Sequence, residues 1–144
     1  MKRQVISTDK GPRTGLPYSQ GIRHGDLVYV AGQVALDPAT GQVVAGGIRE
    51  QTRQVLQNVE AILQAGGTSL AHSVECLCLL SDIGDFAAFN EVYKTFFPTD
   101  PPVRTTVGAV ESPVPRRPVT RPKLLTGKLP VLVVSVRSLI VPLR

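Results

Sequence analysis

The sequence predicts an α+β fold in which two helices pack on one face of a mixed β-sheet. Two segments carry apolar stripes at intervals of three and four residues, and at least four short runs of strand-forming residues lie around them. The predicted strands are apolar on both faces, so the face without helices is expected to meet a partner subunit. A chain of 144 residues suits a single domain.

The N-terminal part predicts two strands joined by a loop. Residues 4–7 form the first short strand, and residues 8–17 form a loop rich in glycine and proline that leads to Tyr18. Residues 26–36 form the next strand, in which Gly32 indicates a bulge or a close backbone approach. The alternating faces of this strand are both apolar, with Leu27, Tyr29 and Ala31 on one and Val28 and Val30 on the other.

The clearest helix is predicted over residues 48–65, after a turn at 37–41 and a possible short strand at 42–44. The residues of its apolar stripe follow one another at intervals of 4, 3, 4 and 3 positions, and Gly66 and Gly67 mark the end of the helix. The stripe consists of Ile48, Thr52, Val55, Val59 and Ile62.

A strand at residues 73–81 precedes the second helix. Val74, Cys76, Cys78 and Leu80 share one face of this strand. Asp82 is predicted to cap the helix that follows, and Pro98 to end it. The stripe of that helix is Phe86, Phe89, Tyr93 and Phe96, with Asn90 one position to its side.

Residues 101–108 predict a strand that starts with two prolines and carries a single charge, Arg104. A guanidinium group binds a carboxylate through two parallel hydrogen bonds, which makes Arg104 a candidate carboxylate clamp. The alternative is a surface arginine at a strand end.

Composition divides the chain near residue 112. Residues 1–111 hold nine Lys and Arg against eleven Asp and Glu, whereas residues 112–144 hold seven Lys and Arg, no acid and six of the twelve prolines. The prediction is a core domain over 1–111 and a divergent, basic segment over 112–144. Within that segment, residues 129–136 are predicted to add the last strand, and residues 112–128 to be irregular.

The N-terminus, the lengths of the apolar stretches and the cysteine spacing predict the cellular location and the metal content. The N-terminus lacks the apolar run of a secretion signal, and no stretch reaches the about 18 apolar residues of a membrane span. The spacing of Cys76 and Cys78 is neither a zinc pattern nor suited to a disulfide, so both are interpreted as buried thiols. We expect a cytoplasmic protein without a metal.

Six blocks of this sequence, in order, resemble the RidA family (YjgF/YER057c/UK114) over about residues 3–108. They are Gly15-Leu16-Pro17-Tyr18-Ser19-Gln20, Val30-Ala31-Gly32-Gln33, Leu36-Asp37-Pro38-Ala39-Thr40-Gly41, the run from Glu50 to Asn58, the run from Asp85 to Tyr93, and Pro102-Val103-Arg104-Thr105-Thr106-Val107. The resemblance implies the chorismate-mutase-like α+β sandwich and a homotrimer with sites in the subunit clefts.

The resemblance also implies an activity, the hydrolysis of 2-iminobutanoate and 2-iminopropanoate to 2-keto acids and ammonia without a cofactor. Arg104 matches the arginine that holds the substrate carboxylate, and Tyr18 matches the lid tyrosine; both are expected to be catalytic. The other expected substrate contacts are Gly32, Ala31, Asn90 and Thr106.

The C-terminal segment departs from the family, whose last strand carries the glutamate proposed to hold the hydrolytic water. This chain has Val134 or Ser135 there, which fits either divergence or a shifted reading frame. Two alternatives to an active deaminase therefore stay open. One is a trimeric small-carboxylate-binding protein that has lost hydrolysis. The other is an RNA-directed translation inhibitor or ribonuclease, which a basic segment favours but the absence of aromatic residues there disfavours.

Overall fold

The computed structural model of the protein describes residues 2–108 and 132–139. In chain order the strands and helices are β1 (Arg3–Ile6), β2 (Gly21–His24), β3 (Leu27–Gln33), α1 (Ile48–Ala65), β4 (Ser73–Leu80), α2 (Phe86–Phe96), β5 (Val103–Val107) and β6 (Leu132–Leu139). The six strands form one sheet in the order β1-β2-β3-β6-β4-β5. Among the strands of the described residues, only β4 and β5 are parallel, and α2 connects them, so the predicted mixed α+β architecture is confirmed.

Strand β6 lies between β3 and β4 and is antiparallel to both. Its Ser138 hydroxyl donates to the carbonyl of Ser69 at 3.0 Å and lies 3.3 Å from the Thr68 hydroxyl, which ties the strand to the connection after α1. The last strand predicted over 129–136 therefore exists, but it is shifted by three residues, to Leu132–Leu139. Residues 112–128, predicted to be irregular, lie outside the described residues.

Both helices pack on the same face of the sheet. Their buried side chains form one core with the alternate residues of the strands. Core side chains from the sheet are Ile6, Val28, Val30, Cys76, Cys78, Leu80 and Val136, and those from the helices include Val55, Leu56, Val59, Ile62, Phe89 and Tyr93. The predicted stripe of α1 is buried throughout. In α2, Phe89 and Tyr93 are buried and Phe96 is partly buried as predicted, but Phe86 at the start of the helix is 37% exposed.

The opposite face of the sheet, which we call the open face, carries apolar side chains that lie exposed in the single chain. Residues between the buried positions of each strand point to this face. They include Val5, Tyr29, Leu77, Val103 and Val107, of which Val103 is 71% exposed. An apolar sheet face of this kind is typical of a surface that meets another subunit.

Helix α1 begins and ends as predicted. The Glu50 carboxylate accepts a hydrogen bond from the Gly47 N–H at 2.8 Å, which closes the N-terminus as half of a capping box. Gly67 follows the C-cap with φ at +85°, a conformation that favours glycine.

Several boundaries differ from the prediction because pairing, not local composition, sets them. Strand β2 was not predicted. Strand β3 ends at Gln33, the last of its residues that is paired with β6, after a register shift between Val30 and Gln33. The predicted strand at 42–44 is reduced to one bridge, between Leu36 and Val43.

The entry into α2 also differs from the prediction. Asp82 accepts a hydrogen bond from the Gly84 N–H at 2.8 Å and so caps the 3₁₀ turn Ile83–Asp85, after which α2 begins at Phe86. Val74 is exposed rather than on the Cys76 face, because the β4–β6 ladder shifts register between Ser73 and Glu75.

No helix within the described residues is long and apolar enough to cross a membrane. The boundary predicted at 111/112 falls among residues 109–131, outside the described part of the chain, and stays a prediction. The cytoplasmic location stays a prediction as well.

Candidate functional site

Arg104 lies on β5, which is an edge strand of the sheet, and its backbone is paired with that of Cys76 in β4. The neighbours on either side, Val103 and Thr105, are exposed on the open face, so Arg104 and Thr106 point to the helix face. The β4-α2-β5 connection places α2 over them. The Arg104 side chain therefore enters the layer between the sheet edge and α2.

Three aromatic rings and one amide hold the Arg104 guanidinium. Its central carbon lies 4.6 Å from the ring centre of Tyr93 and 5.4 Å from those of Phe86 and Phe89. Its Nη1 donates a hydrogen bond to Asn90 Oδ1 at 2.7 Å. Aromatic faces attract cations, so the rings stabilise the charge without neutralising it.

No described carboxylate forms an ion pair with Arg104. The ion pairs among residues 2–108 join Arg13 to Asp9 and Arg49 to Glu91, and both are on the surface. Asn90 is the only acceptor among the described residues for which a hydrogen bond from Arg104 is seen, and it occupies one N–H of the guanidinium. A guanidinium held in this way agrees with the predicted carboxylate clamp, which stays a prediction.

Two buried hydroxyl groups near Arg104 have no hydrogen-bond partner at a suitable distance and angle within the described residues. They are Tyr93 Oη and Thr106 Oγ1. An unsatisfied buried polar group costs about 1–3 kcal/mol, which a bound ligand or water could recover. The Tyr93 hydroxyl does lie close enough to the Cys76 thiol for each to influence the other's pKa.

The two thiols beside this layer are poor nucleophiles. Burial raises the pKa of Cys76, although Tyr93 and the Arg104 charge partly oppose the rise. Burial and the neighbouring Cys76 raise the pKa of Cys78 to about 12. Burial also raises the pKa of Tyr93. All three groups are therefore protonated at neutral pH, which leaves no thiolate for covalent catalysis.

Tyr18 and Gly32 lie far from Arg104 within one chain. Arg104, Cys76, Val136 and Val30 stand in register across four strands, and three spacings of about 4.8 Å put Val30 about 14 Å from Arg104. Ala31 and the exposed Gly32 follow Val30. Tyr18 precedes β2, two strand spacings beyond β6, and its exposed ring is held by the Thr14 hydroxyl, which donates to Tyr18 Oη at 3.0 Å.

The family model described as Endoribonuclease L-PSP matches residues 8–119. A RutC family protein of Pyrococcus abyssi is 45% identical over 107 residues, which are 74% of this chain and 84% of that protein. The chain belongs to the RidA family. A mouse member named 2-iminobutanoate/2-iminopropanoate deaminase is 44% identical over 102 residues, 71% of this chain and 76% of that protein. The crystal structure of E. coli TdcF with bound serine superimposes with a TM-score of 0.76 at 31% identity, covering 94% of this chain and 98% of that one.

Of the residues predicted for a RidA site, the single chain brings Arg104, Asn90 and Thr106 together and leaves Tyr18, Ala31 and Gly32 apart. The roles of all six stay predictions. The aromatic rings around the guanidinium were missed as site residues, because their helical spacing indicated only a core stripe. One sequence signal could have identified these rings: the aromatic stripe belongs to the helix that directly precedes the strand carrying Arg104.

Proposed function

We propose that this RidA family member hydrolyses small 2-imino acids, such as 2-iminobutanoate and 2-iminopropanoate, to 2-keto acids and ammonia. The observation that carries the proposal is Arg104, held by three rings and the Asn90 amide with no acidic partner among the described residues. The name of the mouse relative and the serine bound to TdcF support a small carboxylate as the ligand.

In this mechanism Arg104 binds the substrate carboxylate and thereby places the imine carbon. Protonation of the imine nitrogen makes that carbon electrophilic, and a water molecule adds to it. One proton of the added water passes to the nitrogen of the resulting carbinolamine. Ammonia then leaves as the C–N bond breaks, and the hydroxyl gives up its proton as the carbonyl forms. A protein nucleophile is not needed, which agrees with the raised pKa values of Cys76 and Cys78.

A complete site requires a second copy of the chain, and we propose a homotrimer. Arg104 and the Tyr18–Gly32 region are too far apart in one chain for a four-carbon acid to touch both. The exposed side chains of the open face, among them Tyr29, Leu77 and Val103, give such an assembly an apolar surface to bury. The cleft between two subunits would then bring Arg104 of one copy toward Tyr18 and Gly32 of another.

A second candidate is a trimer that binds small carboxylates but hydrolyses imines slowly. It is favoured by the sequence of β6, Leu132–Leu139, which contains no acidic residue. Position 134 is paired with Cys78, and Cys78 with Thr106, so this position is on the same sheet face as Arg104. Position 135 is paired with Leu77 and belongs to the open face.

The two candidates are separated by measuring 2-keto acid and ammonia release from 2-iminobutanoate generated in situ. An active deaminase accelerates release above the spontaneous rate, and Arg104→Ala removes the acceleration. A binding protein gives the spontaneous rate while still binding 2-ketobutyrate in calorimetry. In that case Val134→Glu is expected to restore turnover and Ser135→Glu is not. A wild-type protein that neither binds 2-ketobutyrate nor accelerates release would contradict both candidates.

A further inference from the structure

We propose that Gln20 is a positioning residue that holds the Tyr18 loop against the strand carrying Gly32. This inference rests on the proposed function, which gives Tyr18 and Gly32 their roles at the ligand. The loop in question, which we call the Tyr18 loop, comprises residues 8–20.

The Gln20 side chain closes the Tyr18 loop on itself. Its Oε1 accepts a hydrogen bond from the Thr8 N–H at 2.7 Å, and its Nε2 donates to the carbonyls of Thr8 and Pro12 at 3.1 and 2.9 Å. The residue is only 8% exposed. A buried amide that satisfies three backbone groups from two places in a loop fixes the path of the chain between them.

The backbone of Gln20 connects the same loop to β3. Its carbonyl accepts a hydrogen bond from the Ala31 N–H at 3.0 Å, one residue before Gly32. Gly21, the next residue, is paired with Val30 in the β2–β3 ladder. Gln20 therefore links two parts of the predicted site: the loop that carries Tyr18 and the strand position that precedes Gly32.

The other hydrogen bonds of the Tyr18 loop join residues at most six positions apart, such as that from the Thr14 hydroxyl to Tyr18 Oη at 3.0 Å. Residues 13–18 are all exposed, so little apolar burial orders them, and the Arg13–Asp9 ion pair joins two exposed side chains and contributes little. At Gly11 the chain passes so near the amide that an added Cβ would lie 3.3 Å from Gln20 Nε2 and 3.1 Å from Ile62. The Gln20 amide thus makes the hydrogen bonds that span the longest stretches of the loop, 12 residues to Thr8 and 8 residues to Pro12.

The prediction for ligand binding is a specific coupling between Gln20 and Tyr18. Gln20→Met keeps the length of the side chain, introduces no charge and removes all three hydrogen bonds. We expect it to weaken 2-ketobutyrate binding about tenfold, the effect of losing an ordered loop held by several hydrogen bonds. In a Tyr18→Ala background the same change is expected to have almost no further effect, because there is no longer a tyrosine to position. Gln57→Met, on the solvent-facing side of α1, is the matched control.

A second measurement does not depend on any ligand. Trypsin cleaves after Arg13, which is exposed in the Tyr18 loop, and we expect Gln20→Met to raise this cleavage rate at least about fivefold while Gln57→Met leaves it unchanged. If wild-type protein fails to bind 2-ketobutyrate, the proposed function is wrong, and the cleavage rates still decide whether Gln20 orders the loop. Unchanged cleavage would overturn the positioning role. So would equal losses of affinity from Gln20→Met with and without Tyr18, because a general structural defect gives additive effects.

Discussion

The decisive perturbation is the removal of the Arg104 charge with its packing retained, and Arg104→Met does this. Methionine fills much of the volume of arginine and can contact the rings of Phe86, Phe89 and Tyr93, but it donates no hydrogen bond. Arg104→Ala removes the packing as well and tests the same point with a larger structural cost.

The expected loss of affinity follows from the contacts of the guanidinium. A hydrogen bond to a charged group contributes about 1.5–3 kcal/mol, which corresponds to a dissociation constant about ten to a hundred times larger. The upper part of this range is expected because Tyr93 and Phe89 are buried around the guanidinium and keep water from replacing the arginine. The stability cost is smaller, about 0.5–2 kcal/mol for the lost cation–π contacts.

Calorimetric titration with 2-ketobutyrate measures the affinity, and thermal unfolding shows that the variant is folded. The matched control is Arg49→Met. Arg49 also contacts α2, through Glu91 at 2.7 Å, but it does so on the surface, with about half of its side chain exposed. Its removal should leave the affinity unchanged. If Arg104→Met binds 2-ketobutyrate as tightly as wild type, Arg104 is not the carboxylate clamp.

Three further predictions follow from the described residues. Sedimentation should show a trimer for wild type and smaller species for Leu77→Glu, which places a charge on the open face; a wild-type monomer at micromolar concentration would contradict the assembly. Cys76 and Cys78 should resist iodoacetamide at pH 8 in the folded protein and react after denaturation, because burial raises both pKa values; modification of the folded protein would show that they are accessible. Backbone hydrogen bonds lower the pKa of Glu50 in the folded state, so its carboxylate adds stability above its ordinary value of 4.5, and this contribution is lost as the pH falls through the lower folded value. Glu50→Gln should therefore unfold at lower urea concentration than wild type at pH 7, with the difference shrinking in acid; a constant difference at all pH values would argue against this linkage.

Local signals in the sequence were sufficient for α1 and insufficient for β2. The bounds of α1 agree with the prediction because both its stripe and the stop at Gly66 and Gly67 are properties of neighbouring residues. Strand β2 contains one aliphatic residue, Ile22, next to Arg23 and His24, and it is a strand because it pairs with β1 and β3 on either side. The composition of four residues does not predict with which distant strands they will pair.

The position of β6 shows the same limit on a larger scale. Its content of β-branched residues predicted a strand, but not its place between β3 and β4 or its register with Cys76 and Cys78. At the site, the resemblance named Arg104 and Asn90, and the structure adds their hydrogen bond and the rings of α2. A helical stripe of aromatic residues is the same pattern whether it buries a core or holds a cation, and only the neighbouring strand distinguishes the two.

The contacts of Arg104 stabilise its guanidinium without occupying it with a carboxylate, which an acidic partner could not do. A carboxylate next to Arg104 would stabilise the guanidinium but would also compete with the ligand carboxylate for it. The rings of Phe86, Phe89 and Tyr93 together with the Asn90 oxygen stabilise the cation and leave its charge intact. In the proposed site, the charge that attracts the ligand carboxylate is therefore set by α2 and β5, while the Tyr18 loop adds further contacts. The proposed hydrolysis would need in addition a group that holds water, and the sequence of β6 offers no acid for that purpose. Changes in β6 should therefore alter turnover with little effect on affinity, while changes in α2 or β5 should alter both.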